Sequence, residues 1–321
     1  MGSKFLTGVG AVVMAAGAVL FAQGGDAAKV MADMRQALGG DKKLAAVKAL
    51  TAVGKNDRVS GERTISGDFE MALELPEKFL TKQTLAQTPM GAVALTVGFN
   101  GAGLIQDTEA PQMPGGGVRM VFGGASPNAT PEENKAAEAR MITQQKQEFT
   151  RMALGLFGAG TSALPVEFTY GGVAESPDGK ADIINVKGDG DFAGKLFVDQ
   201  KSHLPLMFSW MAKEPVQMVQ SAGRSGGGGQ VMQFGRQGGA APTPEERDKM
   251  MKDLQDQMKA AEANRKTVEF RVYYGNYQDV DGVKLPHSFQ QSIAGAASSE
   301  ITIEKYKVNP KIDPKRFEPK K

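Results

Sequence analysis

The chain has no cysteine among its 321 residues, two histidines and a single tryptophan. Without cysteine there is no disulfide, no thiolate nucleophile, no sulfur ligand for a metal and no thiol to carry a lipid at a mature N-terminus. The two histidines, His203 and His287, form neither a His pair nor a His–Glu spacing, so no metal signature is present. Neither stands with a nucleophile-elbow pattern, and a hydrolase would need a base. Charge of one sign is also lacking. Thirty-eight basic against 36 acidic residues leave a net charge of +2. No basic stripe carries interleaved aromatics, which removes nucleic acid as a partner. These absences predict a non-enzymatic protein with no catalytic residue, no metal and no cofactor.

The one long apolar run is N-terminal. Lys4 precedes a stretch from Phe5 to Phe21 rich in Val, Ala and Gly, which reads as a signal peptide over residues 1–22 cleaved between Ala22 and Gly25. An uncleaved inner-membrane anchor is the alternative. The expected mature protein is periplasmic, a single unit over residues 23–321.

Its first element is an amphipathic helix, capped by Asp26, striped by Val30, Met34 and Leu38 and ended by Gly39-Gly40. A further helical turn is expected at Leu44, Val47 and Leu50. The period then changes from helical to two. Ile65, Phe69, Met71, Leu73 and Leu75 alternate with polar residues, and Val93, Leu95, Val97 and Phe99 line one face of a later strand. The pattern returns at Val166 to Tyr170, at Ile184 and Val186, from Phe192 to Val198, and at Leu204, Leu206, Phe208 and Trp210. It ends in Val268 to Tyr274, Leu285 to Ile293 and Ile301 to Val308. Asp281-Gly282 supplies a hairpin turn, Gly295 to Ser299 another, and a one-residue slip predicts a bulge near Glu304-Lys305. Roughly ten short strands with few linking helices exclude a parallel sheet. The class is α+β and β-rich.

Two interruptions, at about 106–160 and 213–265, share a pattern. Each has a Gly-rich arm with a Met and a Phe two apart (Met120 and Phe122; Met232 and Phe234). Each arm is followed by Thr-Pro-Glu-Glu, in which Thr caps a helix with Pro at its first position and Glu completes a capping box. The first helix presents Phe149 and Met152, the second Met250, Leu254 and Met258. Methionine repacks around varied apolar partners. These nine residues are the lid or arm candidates; gap-filling between packed insertions is the competing reading. His287, on an apolar inward face, reads as a hydrogen-bonded wall residue, and Asp189-Gly190-Asp191 as a turn.

The two ends of the chain resemble the periplasmic lipoprotein-carrier superfamily, which includes outer-membrane lipoprotein-sorting proteins and their receptors. The resembling stretches are Ala37-Leu38-Gly39-Gly40 with Lys43 to Leu50, Leu75-Pro76-Glu77-Lys78-Phe79, Phe99-Asn100-Gly101, and Val280 to His287 running through Ile303, Val308-Asn309-Pro310, Ile312-Asp313 and Phe317. The resemblance implies a strongly curved antiparallel sheet, a half-open barrel covered by helices, with an apolar cavity for lipid or lipoprotein acyl chains. Both interruptions are foreign to the short carriers. The expected cavity wall is Ile65, Phe69, Met71, Leu73, Val93, Leu95, Val97, Phe208, Trp210, Leu285 and Phe289. A solid-packed barrel that docks other envelope proteins through its Gly-rich arms is the alternative.

Overall fold

Period-two burial runs through twelve strands that the chain folds into one antiparallel sheet. They are β1 (Ala49–Ser60), β2 (Arg63–Glu74), β3 (Lys78–Thr88), β4 (Gly91–Asn100), β5 (Gly103–Glu109), β6 (Val166–Ser176), β7 (Gly179–Gly188), β8 (Ala193–Asp199), β9 (Pro205–Lys213), β10 (Thr267–Val280), β11 (Val283–Ile293) and β12 (Ala296–Val308). The structure is a computed structural model describing residues 26–61, 63–88, 91–109, 130–215 and 263–318. The strand order is β5-β4-β3-β2-β1-β12-β11-β10-β9-β8-β7-β6. Two hairpin meanders are therefore joined where the first strand pairs with the last, and β5 and β6 stand at opposite edges.

The turns follow the chemistry of their residues. Asp281 and Gly282 both take positive φ (54° and 80°), as a two-residue hairpin turn requires. Ala294 and Gly295 do the same at 51° and 82°, so the second turn is tighter than expected and Ala296 already pairs with Ile293. The register between β1 and β12 slips from Val53↔Lys305 to Gly54↔Ile303, leaving Glu304 as the bulged residue. Two strands escape the alternation rule. The inner face of β1 carries Leu50, Ala52, Gly54 and Asn56, small or polar where neighbouring strands press close. A Cβ on Gly54 would lie 2.0 Å from the Thr302 carbonyl. The edge strand β5 is short and offers only Leu104 and Ile105 as apolar residues, one to each face.

The helices fill the concave side. Helix α1 (Ala27–Ala37) begins at Asp26, whose carboxylate accepts from the Ala28 N–H at 2.8 Å, and buries Met31 and Met34. Gly39 follows at φ 134°, where a Cβ would meet the Gly282 carbonyl at 2.6 Å. A bond from the Lys284 N–H to the Leu38 carbonyl at 2.8 Å fastens this corner to β11. A short helix α2 (Asp41–Ala46) leads into β1. Helix α3 (Pro131–Phe157) connects the two sheet edges. Its capping box is complete, with Glu133 N–H to Thr130 Oγ1 at 3.2 Å and Thr130 N–H to Glu133 Oε2 at 2.8 Å.

Helix α3 touches β4 and β5 on one side and β9 and β11 on the other. At 27 residues it is about 40 Å long, enough to cross the open side of the sheet. Its first half is mostly exposed. From Phe149 to Phe157, all but half-buried Arg151 are buried, so this half is a core helix rather than a surface one. Phe149 stacks on Phe79 with ring centroids 4.8 Å apart, and the Tyr274 hydroxyl donates to the Arg151 carbonyl at 2.7 Å. The Tyr277 hydroxyl lies 3.0 Å from the Pro205 carbonyl and 3.3 Å from that of Gly155. On the convex face a small second core forms where the C-terminal segment brings Ile312 and Phe317 against Ala72, Leu80 and Ile105.

Two outcomes are expected of this packing. A Cβ on Gly155 would lie 2.4 Å from the Tyr274 ring. Gly155→Ala should therefore lower unfolding free energy in urea by about 1–3 kcal/mol through overpacking; an unchanged midpoint would contradict this close approach. Burial also raises the pKa of the Tyr274, Tyr277 and Tyr306 phenols. Folded tyrosines then hold their protons more tightly than unfolded ones, so the stability they contribute is complete below about pH 10 and declines as pH rises further. Thermal melts from neutral to strongly alkaline pH should show the midpoint falling only above that point.

Candidate functional site

The two rims of the half-barrel differ. At one, α1, the β10–β11 turn and the end of α3 close the concave face over residues with essentially no exposure, among them Leu38, Leu73 and Leu285. The other rim is formed by the β1–β2, β3–β4, β7–β8 and β11–β12 turns and the ends of β9 and β10. Among the described residues, the mostly exposed first half of α3 lies on this side. Apolar side chains persist to this second rim. Ile65, Leu95, Val97, Ala212, Val268, Ile293 and Ile301 are each half-buried and face inward by the strand registers.

The expected wall residues divide accordingly. Phe69, Met71, Leu73, Phe208, Trp210, Leu285 and Phe289 are buried and share one continuous core with α1 and the buried half of α3. Protein side chains occupy that depth of the half-barrel. Ile65, Val93, Leu95 and Val97 lie on the same inner face nearer the open rim, and among the described residues they fall outside that core. Phe149 and Met152, expected in a lid or arm, sit in the core instead, facing Phe79, Phe99 and the sheet centre. Met120, Phe122, Met232, Phe234, Met250, Leu254 and Met258 lie outside the described residues, as does the expected signal segment.

His287 is a wall residue. Its Nδ1 is 3.1 Å from the Leu285 carbonyl and its ring meets Tyr306 edge-on at 5.0 Å. Tyr306 in turn donates to the Pro286 carbonyl at 2.6 Å. His203 is exposed in the β8–β9 turn at φ 57°, and Gly190 and Asp191 form a turn at φ 62° and 63°. Among the described residues no three His, Cys, Asp or Glu side chains gather as a metal site, and no helix is long and apolar enough to cross a membrane.

Two polar features interrupt the apolar rim. On β1 and β3, buried Asn56 donates to Gln83 at 2.8 Å, and the Arg58 guanidinium donates to the Thr84 and Leu85 carbonyls where β3 bulges. Partial burial holds the Arg58 pKa below its ordinary value. Across the opening Phe192, Phe208, Trp210 and Phe270 stack in succession at 5.7, 5.9 and 5.4 Å. The Arg151 guanidinium lies 4.4 Å from the Trp210 ring centre and 5.4 Å from that of Phe192. Sequence reasoning missed Arg151, because it meets its aromatic partners only across the fold and no local pattern marks it.

No family model matches the chain, and no curated protein matches it. Solved structures do. A LolA superfamily protein from Nitrosomonas europaea is 9% identical over 92% of this chain and 98% of its own, with a TM-score of 0.44. A protein domain described as outer membrane lipoprotein-sorting, from Vibrio parahaemolyticus, is 7% identical over 89% and 94%, with a TM-score of 0.42. A DUF1329 family protein from Desulfovibrio piger is 8% identical over 92% and 98%, with a TM-score of 0.44. At such identities and scores, function has to be read from the site itself.

The cation over the aromatic ladder gives a direct expectation. The Arg151 side chain is only 13% exposed, so its interaction with Trp210 is worth on the order of 1 kcal/mol. Arg151→Met should lower stability by about that amount and alter the emission of the chain's single tryptophan. An emission spectrum identical to that of the parent would show that the guanidinium does not sit on the ring.

Proposed function

We propose that this chain is a non-enzymatic protein of the cell envelope, exported to the periplasm, that holds an acyl chain of a lipid or lipoprotein at the open end of the half-barrel. The observation that carries the reading is the inward-facing strip of half-buried Ile65, Leu95 and Val97, with Val93 buried beside them, which continues the core face beyond the continuous core among the described residues. Half-buried Val268, Ile293 and Ile301 extend apolar surface along the same rim. A hydrocarbon tail laid on such a strip leaves water at about 0.8 kcal/mol per CH₂, so a chain of a dozen carbons gains on the order of 10 kcal/mol before ordering is subtracted. An ordered, water-excluding surface is all that this task needs. No bond is broken.

Protein purified from its native envelope under mild conditions should release lipid into organic solvent, detectable by mass spectrometry. Leu95→Glu combined with Val97→Glu adds charge to two half-buried positions at the rim. The double variant should keep the fold and bind lipid more weakly, by about fivefold for each kcal/mol of binding free energy that the two charges remove. Equal lipid content in the folded variant, or no lipid in the parent, would overturn the reading.

A further inference from the structure

Between α3 and the β8–β9 end of the open rim lies a pocket of about 480 Å³, within the usual range for small ligands. Its two walls differ in chemistry. The strand wall is apolar, formed by inward-facing Trp210 and half-buried Ala212. The helix wall is polar and basic. Arg140, Gln144, Gln147 and Arg151 line it along one face of α3, and the eleven-residue step from Arg140 to Arg151 spans about three turns, or ~16 Å.

Arg151 is short of partners for a guanidinium so little exposed. Its Nε is buried without a hydrogen bond. Nη2 reaches Gln147 Oε1 only at a long 3.4 Å, and Nη1 reaches the half-exposed Glu148 carboxylate at 3.2 Å. Gln147 is itself fixed, its Nε2 donating to the Gly190 carbonyl at 2.8 Å. Asp191 is the acidic side chain on the lining, set in the turn across from the helix. A planar fork 4.4 Å from the centre of an indole, with donor capacity to spare beside an apolar wall, matches an oxyanion carried on an apolar tail.

We infer that this pocket binds the oxyanion head of an anionic amphiphile, with Arg151 as the bidentate donor, Arg140 as the outer cation and inward-facing Trp210 and Ala212 as the bed for the start of the tail. The inference rests on the acyl-chain reading for the tail alone; a free phosphate ester shares the same head chemistry.

Trp210 is the chain's only tryptophan and lines the pocket, so its emission reports occupancy. The mature full-length protein is titrated below micelle formation with dihexanoyl-phosphatidylglycerol, with dihexanoylglycerol, which has the same tails and no phosphate, and with glycerol 3-phosphate. The phosphatidylglycerol should bind at least about tenfold more tightly than the neutral lipid. Arg151→Gln should bring the two lipids to parity. Arg140→Gln, at an exposed position where the fold is not at stake, should reduce the preference by about threefold.

Equal binding of the two lipids by the parent protein, or a preference that survives both substitutions, overturns the inference while leaving the acyl-chain reading intact. Glycerol 3-phosphate binding as tightly as the anionic lipid, with loss in Arg151→Gln, supports the oxyanion site and assigns it to a free ester. The same result with neither lipid bound supports the site and removes the acyl-chain reading. No response to any probe overturns the inference.

Discussion

The fold depends on the burial of the second half of α3 in the concave face of the sheet. A twelve-stranded sheet left open between β5 and β6 has no second layer of its own, and its inner face would be exposed to water. The stretch from Phe149 to Phe157 supplies that layer, reaching Phe79 and Phe99 from one meander and Tyr274 from the other. Each fully buried Phe, Leu or Met contributes about 1.5–3 kcal/mol. Since among the described residues the meanders pair directly through β1 and β12 alone, α3 also fixes the curvature by touching both. Gly155 shows how close the approach is, for it admits the Tyr274 ring where any side chain would collide.

Much of the sheet was legible because burial on one face writes itself as alternation. Strands β2 and β4, the Asp281-Gly282 hairpin, the bulge at Glu304 and the capping box at Thr130 all follow from local rules that the structure obeys. Strand β1 was hidden because its inner face uses Ala52, Gly54 and Asn56, which carry no hydropathy signal, and the preceding Leu44, Val47 and Leu50 imitate a helical stripe. Strand β5 was hidden because an edge strand of seven residues offers too few apolar positions to show a period.

The position of α3 was not legible at all. Its cap and apolar stripe predict a helix, yet whether that helix lies over the opening or fills it depends on the width left between β4 and β9. That is a property of the whole sheet. The same holds for the site. Ile65, Val93, Leu95 and Val97 were readable as inner-face residues but not as the ones beyond the core. Arg151 and Trp210 are separated by 58 intervening residues and meet only after both meanders have formed.

The filled depth decides where a hydrocarbon tail can lie. To admit a tail against Phe69, Leu73 or Leu285, α3 would have to withdraw Phe149, Met152, Leu154, Leu156 and Phe157 from the core. At about 1.5–3 kcal/mol each, that withdrawal is of the same size as the roughly 10 kcal/mol gained by burying a dozen methylenes. Exchange in the depth is near balance before any ordering of the tail is counted. At the open rim a tail would meet side chains such as Ile65, Leu95 and Val97 that are only half-buried, and among the described residues no core side chain has to leave. On the proposed reading the rim is therefore the energetically favoured seat for a tail, and the inferred head site at Arg151 and Trp210 lies across the same opening.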